Sequence, residues 1–140
     1  MTIVNNERTI VAAMQHAGVG LLAGTDTPTY GVFPGSGLHE ELALLVDAGM
    51  TTAEALQAAT LNPARFLGMQ LDLGTVQVGK LADLVLLDGS PLDDMANLGK
   101  IWAVVQNGKL LSRAGLDAML ADLKEKAARG DDSHPWPAMN

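Results

Sequence analysis

Six consecutive uncharged residues, Val19-Gly20-Leu21-Leu22-Ala23-Gly24, set the first limit on the fold. A run this short and apolar reads as a strand buried on both faces, as strands of parallel sheets are. Before it, Ile10, Val11, Met14 and Ala17 recur at helical spacing, with Asn5 or Asn6 as the cap and Gly18 as the stop. Helix, glycine and buried strand make an α/β rhythm. Such a strand needs neighbours, and 140 residues do not supply a full set. A complete (β/α)8 barrel takes roughly 250.

Past the run, residues 25–37 hold Pro28, Pro34 and four glycines or serines, which forbid regular structure over most of the stretch. Leu38, Leu42, Leu45 and Val46 mark one face of the next helix, and Gly49 ends it. Thr51-Thr52-Ala53-Glu54 is a capping box that opens another, running to about Thr60. Asn62-Pro63 starts a short helical turn. The pattern then changes. Thr75 to Val78 alternates, Gly79-Lys80 turns, and Leu84 to Leu87 is a short apolar strand. Ile101 to Gln106 and Lys109 to Leu111 flank Asn107-Gly108, a strong hairpin signal. An amphipathic helix from Leu116 to about Ala128 and a loose tail from Asp131 complete the chain. Three segments result: 1–70, 71–114 and 115–140.

Sixteen acidic residues against nine basic give a net charge of −7. A sequence-independent nucleic-acid binder must neutralise phosphates with Lys and Arg, so nucleic acid is not an expected partner. The longest nearly uncharged stretch is broken by Asp26 and rich in Gly and Pro, so no membrane span is expected. Without cysteine there are no disulfides or zinc–thiolate sites, which fits a reducing, cytoplasmic setting.

Asp26 is the leading site candidate, because ligands and catalytic groups gather just past the C-terminal ends of parallel strands. Its carboxylate could bind a metal or act as a base, or it could simply cap a turn. His39 opens the helix beyond the loop, where it could meet a substrate or cap the helix. The three histidines have no metal-ligand spacing among themselves, and neither a phosphate loop nor a nucleophile elbow is present.

Read together, these segments resemble a known family. The runs Leu22-Ala23-Gly24-Thr25-Asp26, Leu38-His39-Glu40-Glu41-Leu42, Leu45 to Thr51 and Glu54 to Ala64 stand in order. Leu73-Gly74-Thr75-Val76, Gly79-Lys80, Ala82 to Leu87 and Asn107-Gly108-Lys109 follow. The ordered set resembles the end of the amidohydrolase superfamily, most of all its imidazolonepropionase-like and prolidase-like branch, over about residues 5–113. The resemblance implies an α/β fold: the last strand and helices of a (β/α)8 barrel, plus part of a small β-sandwich, completed by self-association. It implies a divalent metal, zinc by preference, and hydrolysis of carbon–nitrogen bonds in small amide or dipeptide substrates. Asp26 matches the last-strand aspartate that contacts the metal and takes a proton from the attacking water. His39 matches a position for substrate contact.

The family's other ligands, an early His-x-His, a mid-barrel lysine or glutamate and two later histidines, have no match in this chain. Alone, it should therefore bind no catalytic metal. The primary expectation is a C-terminal piece of a hydrolase, inactive by itself and lacking an N-terminal portion. The alternatives are one subunit of a split enzyme and a non-enzymatic domain that forms homo-oligomers. In each, the run around Leu21 and Leu22 should pair with another strand, within the chain or across a dimer.

Overall fold

A computed structural model describes residues 2–27, 30, 32 and 34–130. Helix α1 (Thr2–His16) leads to a segment without regular structure and a loop, followed by α2 (Gly37–Asp47), α3 (Thr52–Ala59) and the short α4 (Leu61–Phe66). Strand β1 (Leu84–Leu87) precedes a 3-10 helix (Met95–Gly99), the hairpin β2 (Ile101–Gln106) and β3 (Lys109–Ser112), and helix α5 (Arg113–Arg129). The result is a mixed α/β fold with one antiparallel sheet of order β1-β2-β3. The tail from Asp131 lies outside the described residues.

The core sits between helices. Leu42 and Leu45 of α2, Met50 of the following link, Ala55 and Ala58 of α3, and Met95 of the 3-10 helix are buried together. Ala55 and Ala58 are fully enclosed. Methyl side chains at these two positions let the neighbouring elements come close without opening a cavity. Leu38 does not join this face as its spacing suggests, for it is 40% exposed. α1 begins at Thr2, so Asn5 and Asn6 lie inside the helix and do not cap it.

The capping box is present in full. Thr51 Oγ1 accepts from the Glu54 amide at 3.2 Å, and Glu54 Oε2 accepts from the Thr51 amide at 2.7 Å. Gln15 of α1 also donates to Glu54, at 2.7 Å. The backbone and hydroxyl donors of Thr51 hold the Glu54 carboxyl below its usual value of 4.5, with Gln15 adding to the effect. A depressed folded value means that Glu54 stabilises the fold fully above 4.5 and loses that contribution as pH falls through the lowered value. Urea unfolding followed into acid should therefore show a stability loss for the native chain that is smaller in Glu54→Gln.

Two elements depart from the sequence reading. Residues 19–24 have no regular secondary structure and join no sheet among the described residues, and Leu22 is 45% exposed. A strand is defined by its partners, and the sheet found among the described residues lies elsewhere, at β1-β2-β3. Residues 75–78 form turns and irregular chain instead of a strand. There the Lys80 ammonium donates to the Gln70 carbonyl at 2.7 Å, the Leu73 carbonyl at 3.2 Å and Thr75 Oγ1 at 2.6 Å, gathering the segment around one charge. Helix α5 forms where the sequence places it and packs on β2 and β3, but it buries none of its residues fully, and Met119, Leu120 and Leu123 stay about half exposed. No described helix is long and apolar enough to cross a membrane.

Gly74 closes the gathered turn against α4. Its φ is +86°, and a Cβ there would lie 2.8 Å from the Ala64 Cβ and 3.0 Å from the Leu61 Cα. Both the left-handed backbone and the contact with main-chain atoms oppose any larger residue. Gly74→Ala should cost about 1–3 kcal/mol, read as a lower urea midpoint.

The hairpin follows its signal. Asn107 and Gly108 both have positive φ, 48° and 76°, as a type I′ turn requires. Asp83 Oδ1 accepts from the Asn107 amide at 2.6 Å, and the Gly108 amide donates to the Ala82 carbonyl at 3.0 Å. The turn is thus anchored to the residues that lead into β1.

Candidate functional site

Asp26 lies where the irregular segment 19–24 gives way to the loop. Two hydrogen bonds hold the segment behind it. The Ala23 amide donates to the Ala58 carbonyl at 2.9 Å, and the Asn62 side-chain amide donates to the Leu21 carbonyl at 3.0 Å. Leu21 and Ala23 also pack against the helical core. Sheet pairing is thus replaced by tethers to the α3–α4 junction.

Asp26 itself has a φ of 52°, in the left-handed region that Asp tolerates better than most residues. Its neighbours brace it. Thr25 Oγ1 accepts from the Thr27 amide at 3.3 Å and lies 2.8 Å from Thr27 Oγ1. Gly37, at the start of α2, is buried with the Thr25 side chain so close that an added Cβ would sit 3.4 Å from its Cγ2. Asp26 is exposed. It is a presented carboxylate, free to meet a group from outside the described residues.

His39 is held elsewhere. It is half-buried in the first turn of α2 and lines an open groove of about 590 Å³ together with Glu40, Asp47, Asp93, Asp94 and Met95. Asp26 does not line that groove. The His39 amide donates to the Ser36 carbonyl at 2.9 Å, the ordinary bonding of a first helical turn. His16, near the end of α1, donates from Nδ1 to the Ala12 carbonyl at 2.6 Å, a structural contact.

A resident metal needs three or four protein ligands. Among the described residues, no group of three or more His, Cys, Asp or Glu side chains comes together to hold one. The described residues therefore do not fit a metal centre by themselves. Asp26 can supply one ligand at most.

Comparison with known proteins gives this carboxylate a context. The amidohydrolase family model matches residues 2–111. The chain belongs to the amidohydrolase family. An imidazolonepropionase of Shouchella clausii (strain KSM-K16) is 34% identical over 118 residues, covering 72% of this chain and 25% of the relative. A 5-methylthioadenosine/S-adenosylhomocysteine deaminase of Moorella thermoacetica is 34% identical over 124 residues, covering 75% and 29%. Among solved structures, a Xaa-Pro dipeptidase with methionine bound in its active site matches with a TM-score of 0.69 and 30% identity. That match covers 75% of this chain and 25% of the dipeptidase. The chain thus spans little more than a quarter of the length of these amidohydrolase relatives. Divalent-metal dependence is general in the family.

Sequence reasoning named Asp26 and His39 but missed two residues that shape the site. Asn62 was legible only as part of an Asn-Pro helix start, since its bond to Leu21 spans 41 positions. Gly37 offered no local signal, because its role is a contact across the loop.

Proposed function

We propose that this chain is the C-terminal portion of a metal-dependent hydrolase of carbon–nitrogen bonds, inactive without the remainder of a (β/α)8 barrel. The observation that carries the reading is the family match over residues 2–111, which takes in so small a share of each relative. Other features support it. Asp26 is a lone exposed carboxylate on a braced backbone, suited to join ligands held by other elements. The Val76 and Val78 side chains are 83% and 107% exposed, and Leu71 is 80% exposed. Such a patch is expected where a sandwich strand awaits a partner. In the complete enzyme the metal would be zinc, with Asp26 one of its ligands and the proton acceptor. His39 would contact the substrate, and that substrate would be a small amide or dipeptide, by analogy with the dipeptidase.

The test is an assay on N-acyl amino acids and dipeptides. The purified chain with added zinc should show no turnover. Co-expressed with the barrel portion of a family member, it should restore metal-dependent turnover. Robust hydrolysis by the pure chain would overturn the reading. A stable homo-oligomer that ignores the barrel portion would favour a self-associating domain instead.

A further inference from the structure

We infer that Asn62 is a positioning residue for Asp26, acting through the Leu21 carbonyl. The inference rests on the reading of Asp26 as a functional carboxylate. A carbonyl oxygen only accepts, so the Asn62 amide faces it with its NH2 group at 3.0 Å, and the flipped orientation would set two acceptors against each other. The contact is half-buried, where water competes poorly for it. Two residues on, the Ala23 amide reaches the Ala58 carbonyl at 2.9 Å. Both tethers come from the α3–α4 junction, which is itself fixed by the buried Ala58 and Ala64.

The segment has no sheet partner among the described residues, so these two bonds, with the packing of Leu21 and Ala23 on the core, set its direction. From Ala23 only Gly24 and Thr25 intervene before Asp26. The brace beyond, formed by Thr25, Thr27 and Gly37, ties the local turn to the start of α2 but not to the α3–α4 junction. Asn62, together with the Ala58 carbonyl, supplies that second link. A residue of the same shape that cannot donate would leave the turn intact and free its root.

Asn62→Asp makes this change, since it keeps the side-chain shape and turns a carboxylate oxygen toward the carbonyl. Nuclear magnetic resonance on the full 140-residue chain reads the result. The Ala23 amide should exchange with solvent about tenfold faster, the size of one lost hydrogen bond. The Asp26 backbone signals should move, while the Ala55 and Ala58 amides keep their protection. If the aspartate variant fails to fold, Asn62→Ala removes the donor without adding charge and is read in the same way. Unchanged Ala23 exchange, or faster exchange spread evenly over α2 and α3, would overturn the inference. An Asp26→Asn change that spares hydrolysis in the assembled enzyme would instead sink the functional reading and leave the tether result standing.

Discussion

Replacing Asp26 with asparagine should lower turnover of the assembled hydrolase by ~10²–10⁴-fold, the usual worth of a positioned acid or base. The prediction follows from the reading of Asp26 as ligand and proton acceptor. Asparagine keeps the size and hydrogen-bonding reach of the side chain but offers neither the negative charge nor a place for the proton. It also tolerates the left-handed backbone at a φ of 52° about as well as aspartate does. The fold should therefore be spared, and the thermal midpoint of the isolated chain should not move. Alanine would be a poorer probe, because it adds backbone strain to the chemical loss. Turnover within a few-fold of the parent would show that Asp26 is not part of the reacting centre.

Leu42→Ala should destabilise the chain by about 2–5 kcal/mol, measured as a shift of the urea midpoint. Leu42 is 3% exposed and belongs to a core of six buried residues. Two of its companions are alanines already fully enclosed, so they have no side-chain length with which to fill a hole. The lost methyl groups would leave a cavity that Met50 and Met95, the most flexible side chains of the cluster, could fill only in part. Domains of this kind are stable by only about 5–15 kcal/mol, so one such change takes a large share. Leu44, two positions along the same helix but 46% exposed, provides the contrast. Leu44→Ala should shift the midpoint far less, and equal shifts would contradict the placement of the core in α2.

Local chemistry was the readable part of this sequence. The Thr51–Glu54 box and the Asn107-Gly108 turn formed as read, because their bonds close within a few residues. What depends on partners was not readable. The apolar run 19–24 has the composition of a buried strand, but no strand lies beside it among the described residues, and tethers from Ala58 and Asn62 take the place of pairing. The alternation at 75–78 gives way to the pull of the Lys80 ammonium on nearby carbonyls. For the site, the residue pattern marked Asp26, and the family match supplied its context. The groove that holds His39 depends on Asp93, Asp94 and Met95, more than fifty positions away, which no local pattern could place beside it.

The contact between Thr25 and Gly37 joins the two roots of the loop that carries Asp26. Chain inserted between those roots would enlarge a ring that is already closed. Closure entropy grows only with the logarithm of length, so each doubling would cost about 0.6 kcal/mol. The roots, and the carboxylate beside the first of them, could stay in register with the helices while the arc beyond them changed in size and character. Such a ring can change its length without re-specifying the fold around it.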